Sequence, residues 1–369
     1  MTKNKMKKIK IFLFLLFEKI FLIFDNIIFI KTKIVPIKIL GIESSCDETS
    51  AAIIQDNKIL SNVIANQEVH EKYGGVVPEL ASRAHQKNII PVVKLALSNA
   101  NIEKNQLDAI AYTRGPGLLG SLLVGASFAK SFSMSLGIPL IEVNHMQAHL
   151  LCHFIEDNCK EKTDFPFLGI NISGGHTQIV LCHNYFKMDL IGETLDDSIG
   201  EAFDKCGKMM GLNYPAGPII DKNSKEGNIN KFKFTIPNVD GLNFSFSGLK
   251  TNFKRCIEKG LQQNDKFIEL ECNNLCASLQ ETIIKILSEK VLNAVKITGV
   301  NNIVFGGGVS ANSGIRNYFD QHKEKLNIFF PKIQYTTDNA AMIAMVGYLK
   351  FKENKFSNLK LSSKARYKI

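Results

Sequence analysis

The sequence lacks the short motifs that identify several common classes of protein. None of its eight cysteines forms a C-x2-C pair, which excludes a zinc ribbon and a thioredoxin-like redox motif. It contains no G-x4-G-K-[ST] segment, which excludes a P-loop. Tryptophan is absent. Because the cysteines are scattered singly, as in reduced cytosolic proteins, we expect a cytoplasmic location.

Negative charge is scarce at both ends of the chain. The formal net charge is +10; residues 1–36 carry +6 and residues 350–369 another +6, so residues 37–349 carry −2. A basic tail suits a polyanionic partner such as a nucleic acid. The alternative is that the lysines at both ends are merely solvated, and the charge distribution alone favours this alternative.

The apolar segment 9–30 is long enough to span a bilayer. Four charged residues interrupt it: Lys10, Glu18, Lys19 and Asp25. It has no small-residue cleavage site and no arginine or serine, which argues against a signal or transit peptide. We interpret residues 1–36 as a low-complexity extension translated from a start assigned too early, with the true start near Ile34 or Val35. The alternative is an amphipathic anchor on a membrane surface.

Two β-hairpins of similar pattern lie about 130 residues apart. The first has the acidic, hydroxyl-rich turn Glu43–Ser50 between two apolar strands, and the second has the glycine turn Ser173–Thr177. Further glycine turns follow the strands that end near Tyr112 and at Phe305. Such turns present hydroxyl and backbone N–H groups to an anion, although glycines also serve close packing. The repetition predicts two similar halves that face each other across a cleft, as in actin-like α/β proteins.

Three helical segments carry expectations that the structure can test. Pro91 lies inside the apolar-periodic run 79–100 and predicts a division or a kink there. A helix is expected to start at Asp196, and another to span about 270–296. Between them, residues 222–265 are polar and are expected to be irregular.

His145 and His149 are candidate metal ligands. They follow the strand-like run 139–143 and lie four residues apart, so both imidazoles project from one helix face. Two neutral imidazoles on one face form a bidentate site for a transition metal. The alternative is a chance pair on the surface or in the core, and a third ligand from another part of the chain would favour the metal site.

Nine segments of the sequence occur in a specific order. They are GIESSCDETSAA (41–52), YGGVVPELASRAH (73–85), RGPGLLGSLLVG (114–125), NHMQAH (144–149), ISGGHT (172–177), DDSIGEAFDK (196–205), FSFSGLKT (244–251), FGGGVSAN (305–312) and TDNAAMIA (337–344). Together they resemble the tRNA N6-adenosine threonylcarbamoyltransferase family, in particular its bacterial and mitochondrial branch, formerly called O-sialoglycoprotein endopeptidases. The resemblance runs from about Ile37 to the C-terminus.

The resemblance implies an actin-like α/β fold of two lobes, each a mixed β-sheet flanked by helices. Residues 37–145 would form lobe I, and residues 146–338 lobe II with the metal and nucleotide cleft. Residues 339–369 would form a C-terminal helix and a basic tail that return to lobe I.

The resemblance also implies site residues. His145, His149 and Asp338 match the metal ligands of the family, which hold one iron or zinc ion per subunit, and magnesium with a bound nucleotide is also compatible. The matching substrate contacts are Asn171, Ile172, Ser173, Gly174, Gly175, Asp204, Gly217, Asp221 and Asn312. The family usually reads YPGG where this chain reads YPAG, so Ala216 restricts the turn if its φ must be positive.

The implied reaction transfers the threonylcarbamoyl group from threonylcarbamoyl-AMP to the exocyclic amine of the adenosine 3′-adjacent to the anticodon. The substrates would be tRNAs that read ANN codons, and AMP is released. The amine is a weak nucleophile, so polarisation of the carbonyl, for which a metal can serve as Lewis acid, matters most. Asp47 and Glu48 lie where a catalytic general base or a water-holding group is needed. Hydrogen bonding within their turn is the alternative.

Other functions fit the residues less well. A metalloprotease of the H-E-x-x-H type needs a glutamate between the histidines, where this chain has Met146, Gln147 and Ala148. A non-catalytic scaffold of the same fold should lose the histidine pair. A sugar or acetate kinase is the main alternative enzyme, because the fold alone would allow it. His153 follows His149 by four residues and could be taken for a third metal ligand, but we interpret it as a residue that does not bind the metal.

The resemblance implies partners beyond tRNA and threonylcarbamoyl-AMP. Bacterial members work with an inactive paralogue of the same fold and a small P-loop ATPase, and Tyr73–His85 with the following helix is the expected dimerisation surface. No stable membrane insertion is expected. The basic tail is expected to contact tRNA, with Tyr367 stacking on a base. The alternative is that the tail packs on lobe I.

Overall fold

Two mixed β-sheets of five strands each organise the protein. The computed structural model describes residues 36–67, 70, 73–157 and 163–369. Residues 1–35 of the extension 1–36, and with them both interpretations of it, therefore lie outside the described residues. The first sheet consists of β1 Lys38–Glu43, β2 Thr49–Gln55, β3 Lys58–Ala65, β4 Ala109–Gly115 and β5 Leu140–Asn144. The second consists of β6 Phe167–Ile172, β7 Thr177–Cys182, β8 Met188–Glu193, β9 Asn302–Gly306 and β10 Asn327–Phe329.

The two sheets have the same topology. The strand order is β3-β2-β1-β4-β5 in the first and, read in the same direction, β8-β7-β6-β9-β10 in the second. In each sheet the central strand pairs antiparallel with the next strand of its hairpin, β2 or β7. On its other side it pairs in parallel with β4 or β9. The two similar halves predicted from the hairpins are thereby confirmed.

Nine α-helices of the described residues cover the sheets. They are α1 Pro78–Ala100, α2 Leu119–Leu136, α3 His145–Leu151, α4 Ile199–Met209, α5 Ala216–Ser224, α6 Ser247–Gln263, α7 Phe267–Thr298, α8 Ser313–Asp320 and α9 Ala340–Lys352. The second lobe buries a large apolar cluster between its sheet and helices α4 to α8. In the first lobe α9 lies against β1, where an added Cβ on Gly41 would come within 2.5 Å of the Ala340 carbonyl oxygen.

Three expectations about helices differ from the structure. Helix α1 runs through Pro91 without the expected division, while a kink there stays a prediction. Pro91 and Lys87, whose carbonyl loses its donor, are both exposed, so solvent can satisfy that carbonyl. Helix α4 begins at Ile199, three residues later than expected. Helix α6 lies within the segment expected to be irregular, and it buries Leu249, Phe253 and Ile257 at a spacing of four residues.

Helix α2 is the single helix of the described chain that is long and apolar enough to cross a membrane, judged by length and composition. One face of it packs on β4 and α1, and this face buries small residues, among them Ser121, Gly125 and Ala129. These contacts place α2 in the helical layer over the first sheet.

The basic tail packs on the first lobe. We call residues 357–369 the C-terminal strap. The Tyr367 hydroxyl lies 3.0 Å from Glu142 Oε2, and the Arg114 guanidinium lies 5.0 Å from the Tyr367 ring centroid. The alternative of a packed tail is therefore the one that the structure shows. Stacking of Tyr367 on a base, as expected, would require its ring to leave Arg114.

Candidate metal centre and substrate cleft

The helix that carries the histidine pair starts directly at the end of β5. Asn144 caps it, because its side-chain oxygen accepts hydrogen bonds from the backbone N–H groups of Met146 at 2.9 Å and Gln147 at 3.2 Å. His145 occupies the first position of α3 and His149 follows one turn later, and both are buried. Their rings meet edge to face, with centroids 4.6 Å apart. The predicted shared helix face is therefore present.

A carboxylate from the far end of the chain completes a triangle with the two imidazoles. His145 Nε2 and His149 Nε2 lie 3.1 Å apart, and Asp338 Oδ1 lies 3.3 Å and 3.1 Å from them. Tetrahedral metal sites with bonds of about 2.0–2.1 Å have ligand–ligand edges of about 3.3 Å. These three donors therefore fit one transition-metal ion with further positions left open.

Glu43 is a functional residue that sequence reasoning missed. It ends β1, is fully buried, and places Oε2 3.1 Å from His145 Nδ1. The same carboxylate accepts hydrogen bonds from the Ser45 backbone N–H and the Thr113 hydroxyl. A carboxylate on the second nitrogen of a metal-binding histidine selects the tautomer that leaves the other nitrogen free. The available signal was an acidic residue closing an otherwise apolar strand.

The electrostatics of the triangle favour a positive charge. Burial lowers the pKa of His145, but the neighbouring carboxylates Asp338 and Glu43 outweigh it and raise that pKa well above its ordinary value. For His149 burial dominates, and its pKa is lowered. Burial would raise the pKa of Asp338, yet the positive charge and hydrogen bond of His145 hold it well below its usual range. A bound cation would satisfy both carboxylates without a proton on His145.

The predicted catalytic residues lie in the first hairpin turn, close to the triangle. Asp47 and Glu48 are both half-buried. Burial, followed by the negative charges of Asp338 and Asp47, raises the pKa of Glu48 well above its ordinary value. His85 supports the turn, because its Nε2 lies 3.0 Å from the Cys46 carbonyl oxygen. The turn has an internal hydrogen bond from the Ser45 N–H to the Glu43 carboxylate and also faces Asp338. Both interpretations of Asp47 and Glu48 therefore remain predictions.

The second hairpin turn, with the predicted substrate contacts Asn171–Gly175, lies beside the ligand helix. The Asn171 side-chain amide donates to the Met146 carbonyl at 2.9 Å, and its Oδ1 is buried without a hydrogen-bond partner among the described residues. The Ser198 hydroxyl at the start of α4 donates to the Gly174 carbonyl at 2.6 Å. The turn is therefore held between two helix ends, and Asn171 has an acceptor left for a ligand.

Two other histidines near this turn differ in their surroundings. Burial, followed by the charges of His145 and His149, lowers the pKa of His176 to about 4, so the second turn also faces the triangle. His153, which we interpreted as a bystander, places Nε2 2.9 Å from the Phe305 carbonyl oxygen. It is not one of the three residues of the triangle.

Two of the predicted substrate contacts lie where α4 meets α5. Asp204 Oδ1 accepts a hydrogen bond from the Ala216 backbone N–H at 2.8 Å, and burial raises the pKa of its carboxyl. Ala216 begins α5 without a positive φ, so the departure from YPGG does not strain the turn. Its methyl group faces Gly207, where an added Cβ would come within 2.2 Å of it. Gly217 follows in the first turn of α5.

The remaining two contacts meet at the start of α8. Asp221 accepts hydrogen bonds from the Ser313 backbone N–H at 3.0 Å and from the Ser313 hydroxyl at 2.9 Å. Asn312 caps α8 through the Ile315 N–H at 2.9 Å and donates to Gln280 at 2.7 Å. The structure thus joins Asp221 and Asn312 in one network. Their contact with a nucleoside remains a prediction.

Solved structures with the same fold support this architecture. Full-length HypF in the phosphate- and nucleotide-bound form aligns with a TM-score of 0.57 at 14% identity, over 87% of this chain and 47% of that chain. HypF of T. kodakarensis aligns with a TM-score of 0.57 at 13% identity, over 86% of this chain and 48% of that chain. This chain therefore matches about half the length of each HypF chain, and the likeness concerns the fold alone.

Fold and site together define an actin-like two-lobed enzyme with a donor set able to hold a metal ion. The model of the tRNA N6-adenosine threonylcarbamoyltransferase family matches residues 58–345. The chain belongs to this family. Relatives of that name are 57% identical in Christiangramia forsetii over 90% of this chain and 98% of the relative, and 46% identical in Thermosipho africanus over 90% and 99%. The predicted fold class, transferase function and enzyme class are thereby confirmed.

Proposed function

We propose that this chain transfers the threonylcarbamoyl group at a metal centre held by His145, His149 and Asp338. The donor is threonylcarbamoyl-AMP, and the acceptor is the exocyclic amine of the adenosine 3′-adjacent to the anticodon in tRNAs that read ANN codons. The observation that carries the proposal is the triangle of three donor atoms, whose edges are 3.1, 3.1 and 3.3 Å. Iron and zinc both suit two imidazoles and one carboxylate.

The residues around the triangle have separate tasks in this proposal. When bound, the ion would supply Lewis-acid polarisation of the transferred carbonyl. Glu43 holds the His145 ring in one orientation through Nδ1. The turn Asn171–Gly175 binds the adenylate, while Asp204, Gly217, Asp221 and Asn312 bind its nucleoside. Asp47 or Glu48 accepts the proton that the attacking amine loses.

Metal analysis of the purified chain tests the centre. His145→Ala and His149→Ala should each lose metal and transferase activity together, because each removes one donor of the triangle. His183→Ala is the matched control, since its Nε2 bonds to Asp189 at 2.8 Å on the exposed β7–β8 turn. Full metal occupancy in the double His145/His149 variant would rule out this site. Metal present only with bound nucleotide would instead favour the kinase alternative.

Partner proteins form a second part of the proposal. An inactive paralogue of the same fold would dock on the helical layer of lobe I, and a small P-loop ATPase would join the assembly. The support is apolar exposure on adjacent helices: Ile90 and Leu95 of α1 are 52% and 50% exposed, and Leu123 and Met134 of α2 are 49% and 66% exposed. Robust turnover by the purified chain alone, with adenylate and tRNA, would refute the requirement for partners.

The strap also offers a tRNA contact without Tyr367. The side chains of Lys360, Arg366 and Lys368 are exposed although the strap packs on lobe I. If each contacts a phosphate, replacing all three by glutamine should flatten the log–log salt slope of tRNA binding by up to about 2.7, at about 0.9 per contact for a duplex. An unchanged slope would reject the contact. A cytoplasmic location fits this substrate and the seven described cysteines, which are all free.

A further inference from the structure

The C-terminal strap is joined to lobe I by backbone hydrogen bonds along its length. The Ser357 N–H donates to the Leu140 carbonyl at 2.7 Å, and the Lys364 N–H donates to the Arg114 carbonyl at 2.8 Å. At Gly115 the strap and β4 approach so closely that an added Cβ would meet the Lys364 carbonyl oxygen. The φ of Gly115, +153°, also requires glycine. The strap is therefore packed against lobe I along its length and belongs to the folded lobe.

A half-buried charged network anchors the end of the strap. Glu142 on β5 lies 3.0 Å from the Tyr367 hydroxyl, 3.0 Å from Lys350 Nζ and 3.7 Å from Arg114 Nη1. Burial would raise the pKa of the Glu142 carboxyl, but Lys350 outweighs it and the pKa is lowered. The carboxylate thus stays charged and holds Tyr367 against β5, at a position three residues before His145, where the ligand helix begins.

One side chain connects the strap to the metal ligands. The Asn144 amide donates to the backbone carbonyl oxygens of Lys368 at 2.9 Å and Tyr367 at 3.4 Å. The oxygen of the same side chain caps α3. The last residue, Ile369, packs on the buried cluster that contains Leu150 of α3. The strap therefore reaches the start of the ligand helix through Asn144 and this cluster through Ile369.

We propose that the strap is a positioning element for the metal centre: through Asn144 it fixes the first turn of α3 and hence the separation of the two histidine nitrogens from Asp338. The inference rests on the proposed metal centre. Metal bonds tolerate shifts of only about 0.2 Å, so a small displacement of α3 is enough to weaken the site. Mutation of residues that contact the metal ligands, and not the metal itself, typically lowers metal affinity by about 10- to 100-fold.

Cobalt(II) is a suitable probe, because its absorption spectrum reports both binding and coordination geometry. A chain that ends at Arg366 should bind Co²⁺ about tenfold more weakly than the full chain, with an altered spectrum. Asn144→Asp should do the same, since it keeps the capping oxygen but places a carboxylate against the strap carbonyls. The double variant should be no weaker than the truncated chain alone, because truncation already removes the contact that Asn144→Asp disrupts. Lys130→Met is the control, as Lys130 Nζ bonds to the Leu361 carbonyl, a contact of the strap that does not involve Asn144.

Failure of the strap's positioning role and failure of the proposed metal centre would give different results. If the full chain binds Co²⁺ and the truncated chain binds it with the same affinity and spectrum, the strap has no positioning role. Additive losses in the double variant would also overturn it, since the strap and Asn144 would then act separately. If truncation prevents folding, Asn144→Asp decides the question, because it leaves the other bonds of the strap in place. Absence of Co²⁺ binding by the full chain would overturn the metal centre and this inference with it.

Discussion

The two hairpin turns share one topology but present opposite chemistry to the cleft. The first turn is acidic: Glu43 lies buried at its base, and Asp47 and Glu48 follow within the turn. The second turn is neutral and open, since a Cβ added at Gly174 or Gly175 would meet no atom within 4 Å. One repeated fold therefore supplies charge on one side and space with backbone N–H groups on the other. A metal ion and a phosphoester need these two surroundings respectively.

The largest effect is expected where the central strands meet their helices. A Cβ at Gly41 of β1 would come within 2.7 Å of two backbone atoms of α9, whereas at Gly169 of β6 it would meet the flexible end of Leu150. Gly41→Val should therefore lower the free energy of unfolding by about 3 kcal/mol or more, and Gly169→Val by less. Denaturant unfolding of both variants measures the difference. Equal losses would contradict the different rigidity of the two contacts.

A second effect is expected at His153, which is buried without the neighbouring carboxylates that raise the pKa of His145. Burial lowers the pKa of His153 to about 4, so between pH 6.5 and 4 the unfolded chain binds a proton that the folded chain does not. Stability should therefore fall as the pH falls through this window, by up to about 3 kcal/mol from this group. In metal-free protein, His153→Gln should reduce that fall in unfolding free energy. A pH dependence identical to that of the wild type would reject the assignment.

A third, smaller effect should appear at the acidic turn. Glu43→Gln keeps the size of the side chain but removes the charge that faces His145 Nδ1. Metal affinity, measured by competition with a chelator, should fall by about 10- to 100-fold. Glu79→Gln is the control, because this glutamate is 75% exposed and pairs with Arg83 on the surface of α1. Unchanged affinity in Glu43→Gln would show that the carboxylate does not support the ligand.

The smallest effect is expected at the open turn. Gly174→Ala should leave the free energy of unfolding within about 0.5 kcal/mol, since the added methyl group meets nothing. The added methyl group occupies space predicted for the adenylate, so the KM for threonylcarbamoyl-AMP should rise about tenfold, equivalent to about 1.4 kcal/mol. Gly248→Ala at the start of α6 is the control. An unchanged KM would place the adenylate elsewhere.

Much of this arrangement was predictable because it depends on local pattern. Apolar strands around polar turns predicted both sheets, and the spacing of His145 and His149 predicted one helix face. Glu43 was not predictable as a partner of His145, because the two are 102 residues apart and only the parallel pairing of β1, β4 and β5 brings them together. The return of the tail to lobe I was expected, but the individual contacts of the strap were not predictable, for a different reason. Its backbone carries most of its contacts, and its lysines resemble a free tail in sequence.

The three residues of the triangle are synthesised at very different times, because translation follows the order of the sequence. Asp338 is separated from His149 by 189 residues and is followed by only one helix and the strap. Synthesis proceeds from the N-terminus, so both histidines are made long before their third partner leaves the ribosome. A prematurely terminated chain that ends before Asp338 has only two of the three donors. At the proposed metal centre, such a chain is expected to bind the ion more weakly than the finished chain.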